Sequence, residues 1–187
     1  MKLPDPARSV FAAAVLMVLS TPAYAQMSGP MAGMNMPDAK PACPVVDKAV
    51  PAPWAGWTSP EALKGGSGLG TAGKLAVGHV YSAALPALSG MSYVVPLQKP
   101  AADGTFGGVF ILSVDKAGTY AIALSEGAWI DVAPAAGPVL SSVAHGHGPV
   151  CTTIHKVVDF ALQPGAYVVQ VSAAPTSPLV ISVEPKS

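Results

Sequence analysis

The chain has 187 residues, 10 basic and 10 acidic side chains, 51% apolar residues and only 11% charged ones. That length suits one domain of ordinary size. The sparse, balanced charge leaves no basic face for nucleic acid and no polybasic patch for anionic lipid. With 20 prolines and 19 glycines, short strands and turns are favoured over helices.

The N-terminus reads as a secretory signal peptide over residues 1–25. Lys2 and Arg8 precede the apolar run Val10 to Leu19, and Ala23-Tyr24-Ala25 forms a small-residue cleavage site. The run is too short to span a bilayer, which takes about 20 residues. Cleavage after Ala25 leaves 8 basic and 9 acidic residues and no later membrane span. The signal is of bacterial type and implies the periplasm.

Residues 26–53 read as a Met- and Pro-rich flexible tail, without a period of 2 or 3.6. Residues 54–73 read as a short helical turn followed by a Gly-rich linker. Thr58-Ser59-Pro60-Glu61 has the form of a helix start, and KGGSGLGTAG (64–73) lacks the Gly-Lys-Ser/Thr of a phosphate loop.

Residues 74–187 carry recurrent strand signals with turn residues between them. Strands are expected near 75–85, 91–98, 107–115, 118–125, 128–133, 139–144, 154–162, 165–172 and 178–184. Two hairpins are expected. One turns at Asp115-Lys116-Ala117-Gly118, with Phe110, Leu112 and Val114 on one arm and Tyr120, Ile122 and Leu124 on the other. The second turns at Gln163-Pro164-Gly165, with Val158, Phe160 and Leu162 opposite Tyr167, Val169 and Val171. Strict alternation puts one face of each arm into a core. The expected fold is all-β: an antiparallel β-sandwich, jelly-roll or immunoglobulin-like, of about 8–9 strands with a disordered N-terminal tail. A small closed barrel is the alternative.

Three groups of residues carry candidate chemistry. Met27, Met31, Met34 and Met36 place soft, neutral thioethers in a polar, Gly-rich segment, and such sulfurs suit Cu(I). The Met-x-x-Met-x-Met spacing resembles methionine-rich tails of periplasmic copper-handling proteins. The second group lies in AHGHGPVC (144–151) and just beyond it. His145 and His147, two apart, share a side if the backbone is extended, and His155 follows Cys151 by four. Imidazole ligands suit copper or zinc. The competing reading is a turn whose histidines bond to backbone. The third group is Cys43 and Cys151, which in an exported chain invite one disulfide. That bridge would take Cys151 out of any thiolate site and bring the methionine tail beside the histidines.

Trp129 and Asp131 form a possible binding surface, with Asp131 on an outer strand face or on a rim if Trp129 lines a pocket. Trp54, Trp57 and Trp129 could stack on a sugar or be buried. Lys156 reads as a solvated strand residue, and Ser141 and Ser142 as strand-end residues. No Gly-x-Ser-x-Gly elbow is present.

GWTSP (56–60), TFGGVFILSVDKAGTYAIALSEGAWIDV (105–132) and AHGHGPVCTTIHKVVDFALQPGAYVVQVS (144–172) resemble a group of small exported alphaproteobacterial proteins, some of which are called homogentisate 1,2-dioxygenases. That resemblance implies export and a β-domain. The activity would require iron on two histidines and a carboxylate, and Asp159 is the nearest acid to the histidines. The first expectation is thus a periplasmic protein that binds or buffers copper, with zinc or iron as lesser candidates. Its partners would be a metal ion and another periplasmic or outer-membrane protein. The alternatives are a glycan-binding or interaction module and a metal-dependent dioxygenase.

Overall fold

The computed structural model describes residues 43–186. The signal segment 1–25, the tail up to residue 42 and Met27, Met31, Met34 and Met36 lie outside the described residues.

Ten strands are described: β1 (Glu61–Lys64), β2 (Gly73–Leu75), β3 (Val80–Ala84), β4 (Phe106–Val114), β5 (Gly118–Leu124), β6 (Trp129–Pro134), β7 (Ala144–Gly146), β8 (Lys156–Leu162), β9 (Gly165–Ala174) and β10 (Leu179–Lys186). They form a six-stranded sheet in the order β1-β3-β10-β5-β8-β7 and a four-stranded sheet in the order β2-β4-β9-β6. The all-β expectation holds, and the two sheets pack as a sandwich. Neither sheet is purely antiparallel. β1 runs parallel to β3 and β2 runs parallel to β4, in each case at a sheet edge.

Alternation explains which side chains meet. Tyr120, Ile122 and Leu124 of β5 and Val158, Phe160 and Leu162 of β8 point inward from the larger sheet. Phe110, Leu112 and Val114 of β4 and Tyr167, Val169 and Val171 of β9 point inward from the smaller one. Fully burying a side chain of this size contributes about 1.5–3 kcal/mol, and these rows make up most of the core.

The two expected hairpins are absent. β4 and β5 lie in different sheets, as do β8 and β9, so each turn carries the chain from one sheet to the other. The assignment of faces was right and that of partners was wrong. An inward apolar row is satisfied equally by a neighbour alongside and by a sheet opposite. β7 and β8 are the one consecutive pair that is hydrogen-bonded, among the described residues.

Other expectations also change. Residues 91–98 form no strand. They cross the outer face of the smaller sheet, where the Gln170 amide binds the backbone of Val94 and Val95. Val95 N donates to Gln170 Oε1 at 2.9 Å, and Gln170 Nε2 donates to Val95 O at 3.0 Å. A fully buried Gln170 thus replaces strand pairing with side-chain pairing. Of the expected strand 139–144 only Ala144 lies in a strand, at the start of β7. The helical turn falls earlier than expected, as a 3-10 turn over Ala55–Thr58, and Glu61 opens a strand. The glycine stretch 64–73 belongs to the sandwich. Gly66 exchanges both backbone hydrogen bonds with Val109, at 3.0 and 2.9 Å. A Cβ at Gly66 would overlap the Thr71–Ala72 backbone, so glycine there permits close approach rather than looseness.

The outer face of the larger sheet carries a second apolar cluster of Trp57, Val80, Ala123 and Ile154, flanked by Val50 and Trp54. The polypeptide from Cys43 to Thr58 forms a strap over it. Cys43 is bonded to Cys151, as expected. The Asp47 carboxylate accepts from Thr153 N at 2.7 Å and from Thr153 Oγ1 at 2.6 Å. Trp57 Nε1 donates to the same Thr153 hydroxyl oxygen at 2.9 Å. The part of the expected flexible tail from Cys43 to Pro53 is therefore fixed to the domain.

Candidate functional site

The β7–β8 hairpin carries the three candidate histidines. β7 pairs antiparallel with β8, His145 opposite Val158 and Gly146 opposite Val157. The connection between them holds His147, Cys151 and His155. His147 Nδ1 lies 3.0 Å from the carbonyl oxygen of His155. A carbonyl can only accept, so Nδ1 carries the proton and the Nε2 lone pair of neutral His147 is free. The His147 and His155 rings meet edge to face, with centroids 5.7 Å apart, and both side chains are exposed. A backbone carbonyl fixing the far nitrogen of an imidazole is the usual support of a metal-ligating histidine.

His145 has another neighbourhood. Its side chain lines a cleft of about 340 Å³ at the open side of the sandwich, between β6, β8 and the β6–β7 connection. Among the described residues, no three His, Cys, Asp or Glu side chains gather into a metal-holding set. Asp159, the nearest carboxylate in sequence, is buried and paired with Lys186 Nζ at 2.6 Å. The described residues thus bring together two imidazoles, and any third ligand must come from elsewhere.

The disulfide joins this hairpin to the start of the strap at Cys43. Cys151 stands midway between His147 and His155, and its partner Cys43 follows Met36 by seven residues. Cys151 has φ 61, a left-handed conformation uncommon for a residue with a Cβ. Asp47 N donates to its carbonyl at 2.9 Å and fixes that geometry. A bridge of this kind fits an oxidising compartment. No helix among the described residues is long and apolar enough to cross a membrane.

The walls of the cleft are Ile130, Val139, Leu140, Val158 and Phe160; its polar lining is Gln98, Asp131, Ser141, Ser142, His145 and Lys156. Trp129, half-buried, stands at its edge. Trp129 Nε1 donates to Asp131 Oδ1 at 2.8 Å, and Gln98 N donates to Asp131 Oδ2 at 3.4 Å. Asp131 is only 1% exposed. Its burial pushes the carboxyl above the ordinary carboxylate range, against the hydrogen bonds from Trp129 and Gln98. Burial pushes the neighbouring Tyr93 hydroxyl up to about 12, with a further push from Asp131. Lys156 is held by a hydrogen bond from Nζ to the Ala128 carbonyl at 2.7 Å. Its Nζ is 5.0 Å from the Trp129 ring centroid, and Lys99 Nζ is 5.7 Å from it. Burial and the nearby Lys99 charge lower the pKa of Lys156.

Trp54 and Trp57 join the second apolar cluster, whereas Trp129 borders the cleft. The three tryptophans therefore serve different places. Lys156 is not the solvated strand residue expected from the sequence. It sits on the inward-facing row of β8 with Val158 and Phe160, where the sandwich opens. An isolated Lys-Val-Val-Asp-Phe run held the signal, because its alternation places Lys156 in line with Val158 and Phe160.

No protein-family model matches the chain, and a search of curated proteins finds no match.

Proposed function

We propose that the protein is a periplasmic copper-binding or copper-buffering protein. Met27, Met31, Met34 and Met36 would capture Cu(I), and His147 and His155 would supply nitrogen ligands. The observation that carries this reading is the pair of exposed imidazoles, with His147 Nδ1 on the His155 carbonyl and the two rings edge to face. Six residues separate Met36 from Cys43, and the seven steps between them span at most about 25 Å. Thioether sulfur and imidazole nitrogen both suit copper, and His147 has its Nε2 lone pair available. The signal segment and the disulfide together support the periplasm as the compartment.

The test is titration of the mature protein with Cu(I) against a competing chelator, with ascorbate as reductant so that the disulfide survives. One ion per chain is expected. Replacing His147 and His155 by Ala should weaken binding by about tenfold or more. Replacing the four methionines by Leu should do the same, while His145→Ala should have a smaller effect. Affinity unchanged with all four methionines and both histidines replaced overturns the reading. The cleft beside Trp129 favours a second reading, that of a binding module.

A further inference from the structure

We infer that the cleft between β6 and β8 binds a small organic monoanion: a carboxylate head on a compact apolar body. This inference is independent of copper binding.

The walls set the body of the ligand. Ile130, Val158 and Phe160 are core residues of the two sheets, each less than about a tenth exposed, and Leu140 packs against the same core. At about 340 Å³, the space is at the small end of ligand sites and takes one ring rather than a chain of sugars. The polar groups stand at the rim, so a ligand that fills the cleft keeps its own polar group at the mouth.

The rim sets the charge of that group. Lys99 and Lys156 both direct ammonium groups over the Trp129 indole. Neither forms an ion pair among the described residues, where the salt bridges are His79–Glu61 and Lys186–Asp159. Asp131, the one carboxylate in the lining, is buried and already accepts from Trp129 Nε1 and Gln98 N. Lys156 donates one hydrogen bond, to Ala128, and an ammonium has three donors. Lys156 thus stands on the rim of an apolar cleft without an ion-pair partner among the described residues, and Lys99 adds a second positive charge beside the same indole, where low-dielectric walls focus the field. A carboxylate placed there would relieve their repulsion and accept the remaining donors. Ser141, Ser142 and His145 stand on the same rim as further hydrogen-bonding groups.

The test is calorimetric titration of the metal-free mature protein, at low ionic strength, with four probes. These are benzoate, benzamide, benzylamine and methyl glucoside, the first three matched in shape and differing in charge. Benzoate is expected to bind about tenfold or more tightly than benzamide, with benzylamine and the glucoside weaker still. Lys156→Gln should cost benzoate about tenfold, with binding recovered in Lys156→Arg, and Lys99→Gln should cost several-fold. Lys99 is exposed, so its replacement keeps the test open if Lys156→Gln fails to fold. Benzoate should change the fluorescence of the protein but not of Trp129→Phe. Benzamide or the glucoside binding as tightly as benzoate, or benzoate binding unchanged in both lysine variants, overturns the inference. Because metal is absent, the result does not depend on copper binding.

Discussion

The two glycines of the histidine hairpin are not equivalent. A Cβ at Gly148 would overlap the Ile154 carbonyl and side chain, whereas one at Gly146 would meet nothing within 4 Å. Ile154 is 3% exposed and belongs to the cluster under the strap, so Gly148 lets the loop close onto it. Gly148→Ala should therefore destabilise the protein by about 1–3 kcal/mol. Gly146→Ala should change stability by less than about 0.5 kcal/mol or raise it slightly, because glycine in a strand carries an entropic cost. Urea denaturation of the two variants checks this. From the sequence, both glycines read alike, as residues that free the backbone. What separates them is a contact with Ile154, six positions beyond Gly148, which no local pattern encodes. The same holds at the cleft. Trp129 and Asp131 were legible as a possible surface, but Lys99 and Lys156 converge on that indole from two separate segments.

Among the elements, the strap from Cys43 to Thr58 depends most on one bond. Removing the bridge frees a loop of 108 residues in sequence. It leaves the strap held by the hydrogen bonds of Asp47, Thr153 and Trp57 and by the packing of Val50, Trp54 and Trp57 on the sheet. The double variant Cys43→Ser, Cys151→Ser should lose about 2–4 kcal/mol of stability. It should also be cleaved by protease within residues 44–58 sooner than the wild type. Limited proteolysis with mass analysis of the fragments measures both the site and the rate. The pairing of the two cysteines was legible from their number and the export signal. The strands were legible as positions and faces, because alternation is a property of the sequence itself. Their partners were not. β4 and β5 are separated by three residues yet belong to opposite sheets, and the polar turn between them suits either course.

At the scale of the whole molecule, the outer face of the larger sheet holds a buried acid that links stability to pH. Glu184 is 2% exposed, and its Oε1 has no hydrogen-bond partner among the protein atoms. Burial pushes its carboxyl from an ordinary 4.5 up to about 7, with His79 pulling the other way. The folded state thus binds a proton that the unfolded chain releases between those two values. Stability from this group is fully present below about 4.5 and is lost as pH rises through about 7. The loss is on the order of 3 kcal/mol. Glu184→Gln should remove this slope, so that the variant is the more stable protein at pH 8 and the difference disappears near pH 4.5. Chemical denaturation of both proteins across that range tests it.

The sheet order also governs when this chain can acquire structure. Apart from β7 and β8, every hydrogen-bonded strand pair joins segments that are not consecutive. β10 is wedged between β3 and β5, with Val180 opposite Ser82, so the larger sheet has a gap at its centre until residues about a hundred positions apart meet. Such contact order slows folding, because loop-closure entropy is lost before long-range contacts compensate. A chain with so little local pairing cannot close its larger sheet until its last strand is present, so removing β10 should cost the fold as a whole rather than one edge of it.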